Sequence, residues 1–237
     1  MHQLMVLSPE ECSTVADSVL ALSDNWVQRA PFDFYTLGAA TYLDGPWDGE
    51  NYISERCSTR SLLMNNFFDL YHTIINVFQP VLGAVDFHPQ LGLPGFHIFS
   101  AKPGNIMMNT TPVCAKAGGN IHQDFQYYAH NTLWSNYNKI DFDHPLSFTI
   151  PIAMPDKGSG LNIWKGLHRG KHTAQELSDL ARLIPPEKIN YRLGEMIWFD
   201  YNLLHQIAQQ ECLQGQDRRI TLQGHGLRCD DVWFLYF

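Results

Sequence analysis

His122 and Asp124 stand two residues apart in Gly118-Gly119-Asn120-Ile121-His122-Gln123-Asp124-Phe125-Gln126-Tyr127-Tyr128. On a strand, residues i and i+2 point to the same face, so the imidazole and the carboxylate reach one point while Gln123 turns away. A nitrogen donor beside a hard oxygen donor suits Fe(II) or Mn(II) better than a thiolate set would. Two ligands hold a metal poorly, so this chemistry requires a third. An isolated His-x-Asp is more often a core histidine beside a strand-end carboxylate, and the rest of the chain must decide between the two.

Of the eleven histidines, His2, His72, His88, His130 and His144 fall in terminal, helical or loop contexts where solvent or a local hydrogen bond satisfies the ring. His168 and His172 are four apart but enclose Arg169 and Lys171, whose charges disfavour a cation. His205 differs. It follows the apolar run Met196–Phe199 and the turn Asp200-Tyr201-Asn202, inside Leu203-Leu204-His205-Gln206-Ile207-Ala208. An imidazole among apolar residues is costly to bury without a partner, and a metal shared with His122 and Asp124 supplies one. Thirteen and fourteen residues further on, Arg218 and Arg219 lead Ile220-Thr221-Leu222-Gln223-Gly224-His225-Gly226. Alternation puts Arg219, Thr221, Gln223 and His225 on one face. An inward arginine with a hydroxyl two residues on grips a carboxylate through a bidentate fork and one further hydrogen bond. The competing reading is an edge-strand arginine in a surface ion pair.

Taken in order, His122-x-Asp124, then His205, then Arg219-x-Thr221 resembles the signature of the Fe(II)/2-oxoglutarate-dependent oxygenase superfamily, over roughly residues 95–237. The resemblance implies a double-stranded β-helix and a facial triad of His122, Asp124 and His205 on Fe(II). It also implies 2-oxoglutarate as cosubstrate, its distal carboxylate on Arg219 with Thr221 assisting, and O2 as oxidant, with succinate and CO2 as co-products. Arg218 is the register-slip alternative to Arg219. Related halogenases carry a small residue in place of the carboxylate, so Asp124 points to hydroxylation, with desaturation or ring formation available to the same centre. Substrate would enter at the open mouth of the barrel, and chain proximity nominates Phe125, Gln126, Tyr127, Trp134, Asn162 and Trp164 for its wall. Two other readings stay open: an iron oxidase of the same fold that needs no 2-oxoglutarate, and a non-catalytic cupin-like metal- or ligand-binding protein.

The elements that must position these residues follow from periodicity. Ser8-Pro9-Glu10-Glu11 is a capping box with proline at the first helical position, and Cys12, Val15, Ala16, Val19 and Trp26 carry a helix to about Arg29, where Pro31 ends it. Phe32–Tyr42 reads as extended and Asp44–Tyr52 as a loop, with Tyr35, Tyr42, Trp47 and Tyr52 available for a lid. A second helix is predicted over Ser61–Phe78, closed by Pro80 and Gly83. Short β-like pieces then recur at 96–100, 106–108, 118–128, 147–154 and 160–164. A second capping box, Thr173-Ala174-Gln175-Glu176, opens one helix before Pro185-Pro186, and strands resume at 190–200, 218–225 and 232–237. Helices followed by about eight short strands predict a mainly β chain with α: a double-stranded β-helix (jelly roll, cupin-like) core. One domain, 1–237, is expected, with 1–90 as helical support and possible lid and 91–237 as the catalytic core.

Composition narrows the classes. Over 237 residues, 45% hydrophobic and 13% aromatic content supply a sizeable core. A net charge of -8 without a basic stretch argues against nucleic acid or anionic membrane as partner and leaves a small-molecule substrate. The five cysteines are scattered with no Cys-x-x-Cys pair, so reduced structural thiols are expected. No apolar run approaches the ~18 residues that would span a bilayer, and the expected location is cytoplasmic.

Overall fold

The computed structural model describes residues 1–29, 34–99, 118–155, 160–167, 173–208 and 218–237. The piece expected at 106–108, the His168/His172 pair, Cys114 and Cys212 lie outside these residues.

The chain opens with β1 (His2–Met5), exposed along its whole length, and α1 (Pro9–Ala21). The capping box forms: Glu11 N–H donates to Ser8 Oγ at 3.2 Å and Ser8 N–H to the Glu11 carboxylate at 2.7 Å. Cys12, Ala16 and Val19 are its buried face. The helix stops at Ala21 rather than near Arg29, because a 3-10 turn at Ser23–Asn25 doubles the chain back and the Trp26 indole donates to Val19 O at 3.0 Å. Then come β2 (Val27–Gln28), β3 (Phe34–Leu37), α2 (Thr41–Asp44) and α3 (Glu50–Leu82). α3 begins inside the stretch expected to be a loop and is two helices joined at Phe67, whose φ of -131° and ψ of 27° break the helical path. Leu63, Leu70, Tyr71, Ile74 and Phe78 face inward. Gly83, at φ 85°, stops the helix by adopting a conformation that other residues resist, and its N–H closes on Gln79 O at 3.0 Å.

There follow β4 (Val85–Phe87), β5 (Gly95–Phe99), β6 (Gly118–His122), α4 (Asn131–Trp134), β7 (Ile140–Ala153) and β8 (Gly160–Trp164). The chain finishes with α5 (Ala174–Leu183), capped by Thr173 and Glu176 as expected, then β9 (Glu187–Asn190), β10 (Glu195–Phe199), β11 (Leu204–Ile207), β12 (Arg219–Cys229) and β13 (Val232–Tyr236).

The described strands form two sheets. The larger runs β1-β10-β7-β12-β5-β3-β2, with β13 against β12 and β4 against β13; the smaller runs β6-β11-β8-β9. Pairing among them is antiparallel except between β13 and β4. This is the expected jelly-roll architecture with helices. Residues 1–90 do more than back it, since they also give the larger sheet β1 to β4. α1 and α3 cover one face of that sheet, where Cys12, Val19, Leu63 and Phe78 pack with Phe96, Ile98, Ile150, Trp198, Ile220 and Leu222. β12 is therefore buried on both sides: Ile220 and Leu222 enter the helix-backed core, and alternation turns Arg219, Thr221 and His225 toward the interior of the barrel.

Candidate metal centre

β6 and β11 pair with His122 directly opposite His205. Opposed residues of an antiparallel ladder share a face, so the two rings meet, with centroids 4.4 Å apart. Asp124 follows two residues after His122 and places Oδ1 at 3.8 Å from His122 Nε2 and Oδ2 at 3.6 Å from His205 Nε2. One donor atom from each of the three residues lies within 4.8 Å of the others. His205 Nδ1 is 2.8 Å from Leu203 O, which only accepts, so Nδ1 carries the proton and Nε2 presents its lone pair toward Asp124. The His122 side chain is 44% exposed, against 8% for His205 and 12% for Asp124, so His122 marks the open side.

Burial pushes the Asp124 carboxyl up. His205, His225 and His122 around it, with a hydrogen bond from Ser147, overcome that and hold it well below the usual carboxylate range. Burial pulls His205 and His225 down, Asp124 opposing, which favours the neutral rings that ligate metals. His225 stands behind the carboxylate, its Nδ1 4.0 Å from Asp124 Oδ2 and 3.3 Å from Ser147 Oγ. Gln126 Nε2 donates to Asp124 Oδ1 at 3.2 Å. The carboxylate is thus oriented from two sides.

Arg219 is fully buried on β12, opposite Phe99 of β5. Its guanidinium carbon lies 5.1 Å from the Phe99 ring centre and 5.9 Å from that of Tyr191, with which it also shares a hydrogen bond. Burial pulls its pKa down and Tyr191 opposes the shift. Thr221, two residues on along the same face, is fully buried, and its Oγ1 has no hydrogen-bond partner among the described residues. Arg218 precedes the strand and is half-buried, so Arg219 is the arginine in register with Thr221. Opposite Thr221, His97 bonds the Tyr42 hydroxyl through Nε2, and burial, then Arg219 and His225, pulls its pKa down to about 3.

At the mouth, Thr41, Tyr42, Gln123, Phe125 and Gln126 line a cavity of about 300 Å³. Tyr42, 41% exposed, spans it from α2 with its hydroxyl reaching inward to His97. α2 is held by Asp44, whose buried carboxylate takes both ends of the Arg29 guanidinium and also accepts Ala40 N–H at 2.8 Å. Gln126 and Phe125, nominated for a substrate wall, thus line this cavity. The other nominated residues do not. Tyr127 and Trp134 are buried in a cluster with Tyr52, Leu91 and Tyr236, and the Trp134 indole donates to Tyr127 O at 2.8 Å. In the β8–β11 ladder His205 faces Ile163, so Asn162 and Trp164 point to the other side. Trp164 packs beneath α5, its Nε1 3.0 Å from Ala181 O and 2.8 Å from Ile184 O. Of the suggested lid aromatics, Tyr35 and Tyr52 are core and Trp47 bonds Thr132 Oγ1 at 3.3 Å. Sequence reasoning missed Thr41, His97 and Tyr191; the alternation on β12 had already placed His225 beside Arg219.

No family model matches the chain, and no curated protein matches its sequence. Among solved structures the chain is similar to an N-substituted L-amino acid dioxygenase from Burkholderia ambifaria AMMD in complex with alpha-KG, at 13% identity and a TM-score of 0.54, over 99% of this chain and 85% of that one. A second structure of that dioxygenase aligns over the same shares with a TM-score of 0.51 and 13% identity. The likeness establishes a common fold.

Proposed function

We propose that this chain is an Fe(II)/2-oxoglutarate-dependent dioxygenase that oxidises an unactivated C–H bond of a small-molecule metabolite, by hydroxylation, with succinate and CO2 as co-products. The observation that carries the reading is the convergence of His122, Asp124 and His205 on one point, with Arg219 and Thr221 buried on the facing sheet of the same barrel. The fold neighbour's complex with alpha-KG supports it. So does the donor set. Two imidazole nitrogens and one carboxylate oxygen match Fe(II). Adjacent donors at roughly 2.1 Å from an octahedral ion stand about 3 Å apart. The separations of 3.6 and 3.8 Å from Asp124 to the two rings approach that spacing.

Bound there, Fe(II) with 2-oxoglutarate would supply activation of O2 coupled to oxidative decarboxylation of the cosubstrate. His122, Asp124 and His205 would hold the metal, with the half-exposed His122 on the open side of the cluster. Leu203 O fixes the His205 tautomer, while Gln126 and Ser147 fix the carboxylate. Arg219, clasped by Phe99 and Tyr191, is preorganised to take a distal carboxylate, and Thr221 Oγ1 completes that grip. Tyr42 and Phe125 limit water at the mouth. The reading keeps 1–237 as one domain and a cytoplasmic location. No helix among the described residues is long and apolar enough to cross a membrane.

The test is incubation with Fe(II), ascorbate, 2-oxoglutarate and a metabolite collection, scored by NMR for succinate. Asp124→Ala should lose both iron retention and turnover. Arg219→Ala should keep iron and weaken 2-oxoglutarate by at least about tenfold, the scale of losing hydrogen bonds to a charged group. Absence of iron binding together with absence of succinate for every candidate would sink the proposal.

A further inference from the structure

The cavity at the barrel mouth has a lining specific enough to state what it takes. We infer that it binds an uncharged molecule bearing N–H or O–H donors, such as a primary amide or a lactam; as a statement about substrate, this rests on the oxygenase reading above. Among the described residues the lining side chains are Thr41, Tyr42, Gln123, Phe125 and Gln126, and none carries a full charge. Arg29, the cation that acts on Tyr42, is consumed by Asp44 in a pair whose side chains are only 7% and 8% exposed. Arg219 is not part of the lining; it lies fully buried beside Phe99 and Tyr191. An ionised ligand would therefore lose its hydration without gaining a counter-charge from these walls.

The polar atoms also have a direction. Gln126 commits one N–H of its amide to the Asp124 carboxylate at 3.2 Å, and Gln123 commits one N–H to Asn202 O at 2.8 Å. Carboxylate and carbonyl oxygens only accept, so these contacts fix which end of each amide is which, and each amide keeps its carbonyl oxygen and its second N–H to offer. The Tyr42 hydroxyl is engaged with His97. Thr41 is 3% exposed, lines the cavity, and its Oγ1 has no hydrogen-bond partner among the described residues. Two amide groups that pair through both C=O and N–H, and one hydroxyl unpaired among the described residues, flanked by the rings of Tyr42 and Phe125, match a ligand that brings an N–H donor beside an acceptor on a flat or compact apolar body, as a primary amide or lactam does. At about 300 Å³ the cavity sits at the small end of the range for ligand pockets, roughly 300–1,000 Å³.

Four near-isosteric probes separate charge from donor count: benzamide, benzoate, benzamidinium and N,N-dimethylbenzamide. Their binding to the full chain is measured by ligand-observed NMR, with and without Zn(II) to neutralise Asp124. Benzamide should bind at least about tenfold more tightly than either ion, the scale of an unpaired buried charge. It should also outbind the donor-free dimethylamide. Thr41→Val, which keeps the shape, should weaken benzamide by about threefold to tenfold, the value of one neutral hydrogen bond. Gln126→Leu provides the second variant should Thr41→Val fail to fold. Benzoate held at Arg219 would not respond to Thr41→Val, so it is distinguishable from benzoate in this cavity. The inference is overturned if an ion matches benzamide in a Thr41-dependent manner, if benzamide ignores both variants, or if benzamide does not bind in the millimolar range. None of these readouts needs turnover. Failure of succinate formation with intact benzamide selectivity would therefore overturn the oxygenase reading alone.

Discussion

Asp44→Asn isolates the clasp that holds α2 over the site. In the native chain the Asp44 carboxylate takes both terminal nitrogens of Arg29, the Nη2–Oδ2 contact being 2.8 Å. Arg29 Nε also donates to Thr36 Oγ1 at 2.7 Å, and Ala40 N–H donates to Asp44 Oδ2 at 2.8 Å. With side-chain exposures of 7% and 8%, the pair is screened little by solvent. Replacing the carboxylate by an amide leaves a buried guanidinium without a counter-charge, a change that costs roughly 3–5 kcal/mol. At about 2–4 °C per kcal/mol for a chain of this size, the melting temperature should fall by about 6–20 °C. The double replacement Arg29→Met/Asp44→Leu should recover part of that loss, because apolar side chains avoid the desolvation that the ion pair must overcome, while the buried Ala40 N–H and Thr36 Oγ1 that lose their partners keep it below the native chain. Calorimetry and urea titration of the native chain, Arg29→Met, Asp44→Leu and the double variant complete a double-mutant cycle, with Asp44→Asn measured beside it. The Asp44→Asn deficit should persist at about 1 M salt, where exposed pairs are screened away. A deficit under about 0.5 kcal/mol, or one erased by salt, would mean that the pair behaves as a surface ion pair and does not hold α2.

Two further outcomes follow from contacts remote from the metal centre. Burial, with Arg60 and Arg56 adding, pulls the pKa of His88 down to about 4, and its Nδ1 accepts Gln90 N–H at 3.1 Å while Nε2 meets the Tyr137 hydroxyl at 3.0 Å. The folded value lies below the unfolded one of about 6.5, so the unfolded chain binds a proton that the native ring refuses. Stability should therefore fall as pH drops from about 6.5 toward 4, with a slope of up to about 1.4 kcal/mol per pH unit from this group. Urea titrations across that window should show His88→Gln flattening the slope; an unchanged slope would refute the assignment. Trp164→Phe deletes the indole donor to Ala181 O and Ile184 O, so it should lose about 1–2 kcal/mol of stability with KM for substrate unchanged. A raised KM at native stability would return Trp164 to the substrate wall.

The grouping of His122, Asp124 and His205 was legible because three donor residues at separated positions leave a pattern that solvation does not explain, and Arg219-x-Thr221 added a second pattern on one strand face. The capping boxes at Ser8 and Thr173 were local and formed as read. What escaped was whatever depended on cross-strand register. Asn162 and Trp164 looked like wall residues, but only the ladder shows that Ile163 is the partner of His205. β1 is exposed at every position and carries no alternation, so its pairing with β10 left no trace in hydropathy. The first turns of α3 were hidden because Gly49 caps them without a side-chain bond and few of their residues are buried. Thr41 and Tyr42 sit on a four-residue helix with no side-chain cap, held by Arg29 on a different element, and no local rule connects the two.

β12 has a further consequence, for the order in which the chain acquires its shape. It lies between β5 and β7, pairing Arg219 with Phe99 and Ile220 with Ala153, and it also carries β13. β1 in turn waits for β10, His2 opposite Trp198. Contacts this distant along the chain are slow to form, because loop closure must precede any gain from pairing. Until residues 219–229 have been synthesised, β5 and β7 lack their common neighbour and offer open strand edges to other chains. The strand that carries Arg219 thus also sets the moment in translation at which the larger sheet can close. Expression of this protein should accordingly be sensitive to chaperone supply and elongation rate.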